Sequence, residues 1–401
     1  MAFRKLIAGR LVRWSDERAA DAYARGLWIR QTLADTLRQA AEQTPRRVIL
    51  IDGNRRIDCH TLYAQATSLA RAMLVRTPVG SVVSFLLPNW YEAVVISLAT
   101  TLAGMVVNPI LPSLRDRELL FILKDADSRL IFVPSIFHEY DYTAMMSRLT
   151  GQLSRAPEVI VLRGDTGGHT GYESLIQHKE STADLPALDP DALRVMLYTS
   201  GTTGRAKAVL HSHNSIHAMI CQIRDNWLFN PGDTLLVPSP VGHITGSYCA
   251  IECPLLLSTT ALLMDYWNAD DAVGLVDAEQ CTHIVGATPF LEQLLAAARR
   301  AGTRLPSLKL FACGGASVPS SLIRDAAAYF DRAVVTRVYG STEVPLVTVG
   351  VTDRNDVVHA ADTDGCADLA EVKLVDHPAA RAEEGEICAR GPQMLIGYLN
   401  P

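Results

Sequence analysis

Tyr198-Thr199-Ser200-Gly201-Thr202-Thr203-Gly204-Arg205-Ala206-Lys207, running on through Ala208-Val209-Leu210 to His211-Ser212-His213, is the stretch on which the reading of this chain turns. Residues 199–204 set four hydroxyls and two glycines side by side, and Lys207 follows closely. Glycine lets a backbone approach an anion and turn its N–H groups inward, hydroxyls add donors, and lysine supplies a point charge that suits phosphate. Solvated turns have the same composition. The apolar runs 195–198 and 208–210 on either side read as buried strands, however, and a hydroxyl-rich loop held between core strands is anchored as a phosphate clamp must be. The spacing is not that of a Walker A loop, since residues 201–207 lack GxxxxGK[ST] and no helix opens at the lysine.

Composition narrows the classes. A chain of 401 residues can bury more than one domain, and 48% hydrophobic with 20% charged residues is ordinary for a globular protein. The net charge of −6, with no basic stripe, argues against nucleic acid as a partner. Eight cysteines, at 59, 221, 249, 253, 281, 313, 366 and 388, form no CxxC pair and read as reduced thiols of a cytoplasmic enzyme. The basic start, residues 1–10, meets charges again at Arg13, Asp16 and Glu17 before any apolar core develops, so it is not a signal peptide. The longest uncharged run, 93–112, contains polar residues and two prolines, which suits a buried helix and strand better than a membrane span.

In chain order, residues 1–30 read as a surface leader and 32–42 as an amphipathic helix. A hairpin is expected over 48–59 around Asp52-Gly53-Asn54. Strands at 81–87, 105–107 and 130–133 then alternate with helices at 61–74, 91–102 and 113–125. The polar stretch 164–190 suggests a boundary. A second series follows, with strands at 234–237, 261–264, 282–285, 308–313 and 333–339, and helices at 269–278, 291–301 and 320–330. Such alternation predicts an α/β fold with two doubly wound, mostly parallel sheets, divided as 31–190 and 191–350. Short β segments at 371–375 and 386–390 predict a small C-terminal β-barrel-like unit over 351–401.

Residues 198–213 resemble the phosphate-loop signature of the adenylate-forming enzymes, the superfamily of acyl-CoA synthetases, peptide-synthetase adenylation domains and beetle luciferases. That signature usually reads YTSGTTGxPKG followed by a Ser/Thr-His pair. This chain departs from it at Ala206, where proline is usual, and at Ala208, where glycine is usual; neither change removes a phosphate-facing group. The resemblance covers nearly the whole chain and implies that Thr199, Ser200, Gly201, Thr202, Thr203, Gly204 and Lys207 bind the β- and γ-phosphates of ATP.

Tyr339-Gly340-Ser341-Thr342-Glu343 follows an expected strand, where wound folds place ligand residues. By chemistry alone Glu343 offers a hard oxygen to Mg²⁺ and Thr342 a donor to phosphate, although a polar turn would look similar. The pentad is similar to the family's YGxTE motif, which implies that Tyr339 stacks on adenine, Thr342 meets the α-phosphate and Glu343, with Thr199, holds magnesium. Gly314-Gly315-Ala316 is either a plain tight turn or, by resemblance, the segment lying against adenine and the acyl pocket. Pro240-Val241-Gly242-His243-Ile244-Thr245-Gly246 resembles the family's PxxHxxG stretch. His243 is then either structural or a contact to the carboxylate being activated. Asp364-Gly365, Gly385-Glu386 and Arg390-Gly391 match barrel motifs of the family that serve folding.

The function implied is that of an AMP-forming acid-thiol ligase, an enzyme that uses ATP to activate a fatty or alicyclic carboxylic acid to an acyl adenylate, the mixed anhydride of the acid and AMP, and then to a coenzyme A thioester. Asn108-Pro109 with residues 115–123 looks most like medium-chain or cyclohexanecarboxylate-type ligases. Family patterns continue with a TGD motif and a C-terminal domain carrying a catalytic lysine, whereas this sequence stops at Gly397-Tyr398-Leu399-Asn400-Pro401. Nucleotide or acyl-adenylate binding with little adenylation is therefore expected of the 401 residues. Three other classes remain open: an adenylation domain loading a carrier protein, an unrelated ATPase or kinase, and a non-catalytic binding homologue.

Overall fold

The two strands expected around the loop are present: Leu193–Thr199 and Lys207–Ser212 pair antiparallel as a hairpin, with Tyr198 opposite Ala208 and Thr199 opposite Lys207. The computed structural model describes residues 4–177, 183–200, 205–375 and 384–400. Gly201, Thr202, Thr203 and Gly204 lie outside the described residues.

That hairpin supplies the sixth and seventh strands of an eight-stranded sheet ordered Thr170–Gly171, Glu158–Leu162, Ser128–Pro134, Val82–Phe85, Val106–Pro109, Leu193–Thr199, Lys207–Ser212 and Gly397–Tyr398. The first six strands run parallel and the last two junctions are antiparallel. A seven-stranded sheet runs Val334–Val338, Leu310–Gly314, His283–Gly286, Thr234–Val237, Thr260–Leu263, Val48–Asp52 and Arg55–Asp58. All of its junctions are parallel except the last. Parallel strands buried on both faces need continuous apolar runs, which Val82-Val83 and Leu235-Leu236-Val237 supply. The largest core lies between the sheets, where Val83, Phe85 and Val107 of one and Leu50, Leu235 and Ala261 of the other share a cluster. Helix Tyr91–Leu102 fills that space and is buried from Glu92 to its end, as a helix apolar all round must be. Its Glu92 meets Arg163 at 2.6 Å, and Arg163 also reaches Asp52 at 2.9 Å. One guanidinium, just past strand Glu158–Leu162 of the first sheet, thus reaches a strand of the second.

Three expectations need correction. The boundary at 190 does not separate the sheets, because the hairpin Val48–Asp58 joins the second and Leu193–Ser212 joins the first. Alternation along the chain reveals strands but not which sheet they enter. The supposed leader is folded: strands Arg4–Ile7 and Arg10–Arg13 and helix Asp16–Ala24 bury Ile7, Val12 and Ala22, and Trp28 Nε1 donates to the Pro392 carbonyl at 3.1 Å. Among the described residues the last segment makes one two-stranded ribbon, Glu371–Val375 with Glu386–Arg390, and no closed barrel. Its first strand is exposed throughout, so no second layer packs on it.

Two buried features generate stability predictions. Arg194 in the hairpin and Glu252 of helix Glu252–Leu256 form an ion pair whose side chains are 3% and 2% exposed. Arg194 Nε and Glu252 Oε2 have no hydrogen-bond partner, and burial raises the Glu252 pKa despite the guanidinium. Glu252→Leu should therefore cost about 3–5 kcal/mol by leaving a buried charge uncompensated, and Arg194→Met with Glu252→Leu should recover most of that. Urea midpoints measure both; a single variant as stable as the double one would contradict the account. His211 is fully buried and its pKa is pushed down to about 4, chiefly by desolvation. Its unfolded value is ordinary, so between about pH 6.5 and 4 the unfolded chain binds the extra proton and stability falls as pH drops. The slope should be up to about 1.4 kcal/mol per pH unit from this group. Urea midpoints of His211→Gln across that window should show a shallower slope; an unchanged one would remove His211 as the cause.

Candidate active site

The hairpin is pinned on both strands before its loop begins. Tyr198 is partly buried, and its hydroxyl donates to Asp125 Oδ2 at 2.8 Å, while Asn400 Nδ2 donates to Asp125 Oδ1 at 2.8 Å. Burial and then the Asp125 carboxylate raise the Tyr198 pKa, so the phenol stays a donor. Thr199 is half-buried and Ser200 exposed at the mouth of the loop. Lys207 leaves the other strand opposite Thr199, and its Nζ lies 5.7 Å from the centre of the Tyr398 ring. The pair that ends the signature serves folding here. Ser212 caps helix His213–Asn226 in a reciprocal bond with Ser215, and His213 Nδ1 accepts from the Leu33 N–H at 3.2 Å.

The acidic loop follows strand Val334–Val338 at the C-terminal edge of the second sheet. Tyr339 is 39% exposed, with its N–H donating to Thr348 Oγ1 at 2.9 Å. A Cβ on Gly340 would lie 2.6 Å from the Leu346 nitrogen, so the turn admits only glycine. Ser341 Oγ accepts from the Val344 N–H at 3.1 Å. The Thr342 carbonyl accepts from His211 Nε2 at 2.7 Å; because a carbonyl can only accept, this nitrogen carries the ring proton. Glu343 Oε1 accepts from the Tyr398 hydroxyl at 3.0 Å, and the Glu343 carbonyl accepts from the Leu395 N–H at 2.7 Å.

Tyr398 itself sits on the sheet edge, opposite Val209. Thr342 is therefore fastened directly to the strand that bears Lys207, and Glu343 to the strand paired with it.

Gly314 pairs with Val338 on the neighbouring strand, and a Cβ there would meet the Val338 oxygen at 2.5 Å. Gly315 has a φ of +84°, a left-handed turn that suits glycine, so Gly314-Gly315-Ala316 borders the Tyr339 loop with backbone bared. His243 stands apart from these groups. It opens helix Ile244–Ala250 beyond strand Thr234–Val237, on the same edge of the sheet, and its Nδ1 accepts from the Thr245 N–H at 3.2 Å. The surrounding protein lowers its pKa by desolvation. Among the described residues no hydrogen bond joins it to the other candidates.

Sequence reasoning assigned no role to four residues that build this site: Asp125, His211, Tyr398 and Asn89. Buried Asn89 donates to the Val237 and Ser239 carbonyls at 3.1 and 2.9 Å and accepts from the Val241 N–H at 2.8 Å, setting the path of the chain into His243. A buried amide after an apolar strand is a weak signal, and the other three act across more than fifty residues.

The donor set can be tested against a metal. Among the described residues no group of three His, Cys, Asp or Glu could hold one. Glu343 is a single carboxylate with one oxygen engaged, which fits Mg²⁺ only if most of its ligands arrive with a bound phosphate.

Comparison with known proteins agrees with the geometry. Residues 37–399 match the family described as AMP-binding enzyme. The chain is 29% identical over 401 residues to the medium-chain fatty-acid–CoA ligase of Escherichia coli strain K12, covering 96% of this chain and 69% of that protein. It is 27% identical over 406 residues to 2-hydroxy-7-methoxy-5-methyl-1-naphthoate–CoA ligase of Streptomyces carzinostaticus, covering 96% and 72%. The apo structure of MbtA from Mycobacterium smegmatis superposes with a TM-score of 0.84 at 22% identity, over 96% of this chain and 71% of that one, a likeness of fold. On these matches, and with both signature loops fastened to one strand, the chain belongs to the AMP-binding enzyme family.

Proposed function

We propose that this chain uses ATP to activate a fatty or alicyclic carboxylic acid, first as an acyl adenylate and then as a coenzyme A thioester. The observation that carries the reading is the tie between the loops: His211 to Thr342 at 2.7 Å and Tyr398 to Glu343 at 3.0 Å put a phosphate-type hairpin beside a carboxylate. The name of the Escherichia coli relative, a medium-chain fatty-acid–CoA ligase, supports the choice of acid. No described helix is long and apolar enough to cross a membrane, and all eight cysteines are free, which suits a cytoplasmic setting.

A carboxylate resists thiols because its leaving group would be oxide. When its oxygen attacks the α-phosphorus of ATP, a P–O bond forms and the bond to pyrophosphate breaks. The thiol then forms a C–S bond at the acyl carbon, AMP departs, and the thiol proton passes to solvent. The protein's part is positioning and charge compensation. Residues 199–204 and Lys207 would hold the β- and γ-phosphates, and Thr342 the α-phosphate. Tyr339 offers its half-exposed ring to adenine, bordered by the bare backbone of Gly314, Gly315 and Ala316, with Gly340 and Ser341 shaping the turn. His243 has Nδ1 occupied as an acceptor, so its Nε2–H can donate to the incoming carboxylate. Thr199 and Glu343 would share Mg²⁺, which neutralises the pyrophosphate when it is bound.

The test is acid-dependent exchange of labelled pyrophosphate into ATP across medium-chain, long-chain, alicyclic and aromatic carboxylates, measured on a version extended by the family's C-terminal domain. Free coenzyme A should capture the product, and AMP rather than ADP should appear. Lys207→Ala and Glu343→Gln should each lower exchange about 10²–10³-fold. His243→Ala should raise KM for the acid roughly 10–100-fold, the worth of a hydrogen bond to a charged group, with KM for ATP unchanged. Exchange that survives intact in both Lys207→Ala and Glu343→Gln would sink the assignment.

A further inference from the structure

Glu343 could turn either carboxylate oxygen toward a ligand, but the structure leaves it little choice. Oε1 is occupied by the Tyr398 hydroxyl at 3.0 Å. The location of that phenol is set by main chain and not by its own hydroxyl. Tyr398 pairs with Val209, the Ile396 N–H donates to the Leu210 carbonyl at 2.8 Å, and the Leu399 N–H donates to the Ala208 carbonyl at 3.1 Å. On the other side, the Leu395 N–H holds the Glu343 carbonyl at 2.7 Å. A carboxylate oxygen can only accept, so in this contact the phenol is the donor. The face of the same ring lies 5.7 Å from the Lys207 ammonium, within the reach of a cation–π contact.

We propose that Tyr398 is a positioning residue: its hydroxyl turns Glu343 so that Oε2 is the oxygen offered to the cation accompanying the nucleotide, while its ring seats Lys207 for the phosphates. This rests on the acid-activating reading above and adds to it a residue that couples its two charged groups. The coupling follows from one side chain facing opposite charges in two different ways. The hydroxyl meets the carboxylate as a donor, and the negative face of the ring meets the ammonium.

Titration calorimetry of ATP, with Mg²⁺ varied and with the metal removed by chelator, separates the two parts. The proteins are the wild type, Tyr398→Phe, which keeps the ring, and Tyr398→Leu, which removes both. In Tyr398→Phe the Mg²⁺ concentration giving half of the metal-dependent gain in affinity should rise roughly tenfold, with metal-free affinity within about twofold of wild type. In Tyr398→Leu the metal-free affinity should also weaken, by about two- to fivefold. Thermal midpoints of wild type and Tyr398→Phe should coincide, because the strand pairing is backbone. A Tyr398→Phe protein with the wild-type Mg²⁺ requirement, or one that loses metal-free and metal-bound affinity equally, overturns the inference alone. Wild-type protein that binds no ATP overturns the functional reading and the inference with it.

Discussion

The pairing of strand Lys207–Ser212 with Leu193–Thr199 on one side and Gly397–Tyr398 on the other sets where Thr199, Lys207, His211 and Tyr398 stand, and through the last two where Thr342 and Glu343 are held. Side chains of a strand alternate between faces, so a slip of one residue would send Lys207, Val209 and His211 to the opposite side of the sheet. The register is protected from such a slip by burial. Val209 and His211 are 0% exposed and Leu210 is 4% exposed, so neither face could be turned to solvent without uncovering apolar area. The register that satisfies the core therefore also puts His211 against Thr342, and it is fixed before any ligand arrives.

The site is built more from backbone than from side chains. Gly314, Gly340 and Gly246 each occupy a place where a Cβ would collide with main-chain atoms, the last at 2.1 Å from the Pro240 oxygen. Buried amides and rings then complete the supports: Asn89 under the His243 turn, Gln222 Nε2 donating to the Leu346 carbonyl at 2.9 Å, and Trp227 Nε1 donating to the Val349 carbonyl at 3.0 Å. An unpaired carbonyl in such surroundings costs about 1–3 kcal/mol, so these contacts hold the loops as much by what their absence would cost as by attraction. The candidate ligand groups can remain half-exposed because their supports are not.

Much of this could be read from the residues, and the division has a physical cause. The hairpin flanking 199–207, the helix Tyr91–Leu102 and the ribbon Glu371–Val375 with Glu386–Arg390 declare themselves through local apolar patterning and turn residues. The loop composition of 198–207 and 339–343 pointed to phosphate and metal chemistry for the same reason: it is written in neighbouring residues. Sheet membership is not local. Nothing near Val48–Asp52 says that its partner is Thr260–Leu263, so the boundary drawn at 190 followed a polar stretch instead of the sheets. Tyr398 and His211 escaped notice likewise, because a tyrosine on a two-residue strand and a histidine in an apolar one acquire meaning only from what lies across the fold.

That long-range pairing bears on how the protein comes into being. Ile49, Leu50 and Ile51 form a hydrophobic strand whose main-chain partner, Ala261–Leu263, is made more than two hundred residues later. During synthesis the early strand must wait with its ladder groups unmet, which is the circumstance in which nascent chains aggregate. The antiparallel mate Arg55–Asp58, rich in charge and made at once, covers one edge in the interval. A hairpin that ends as the rim of the second sheet can thus act first as its own chaperone.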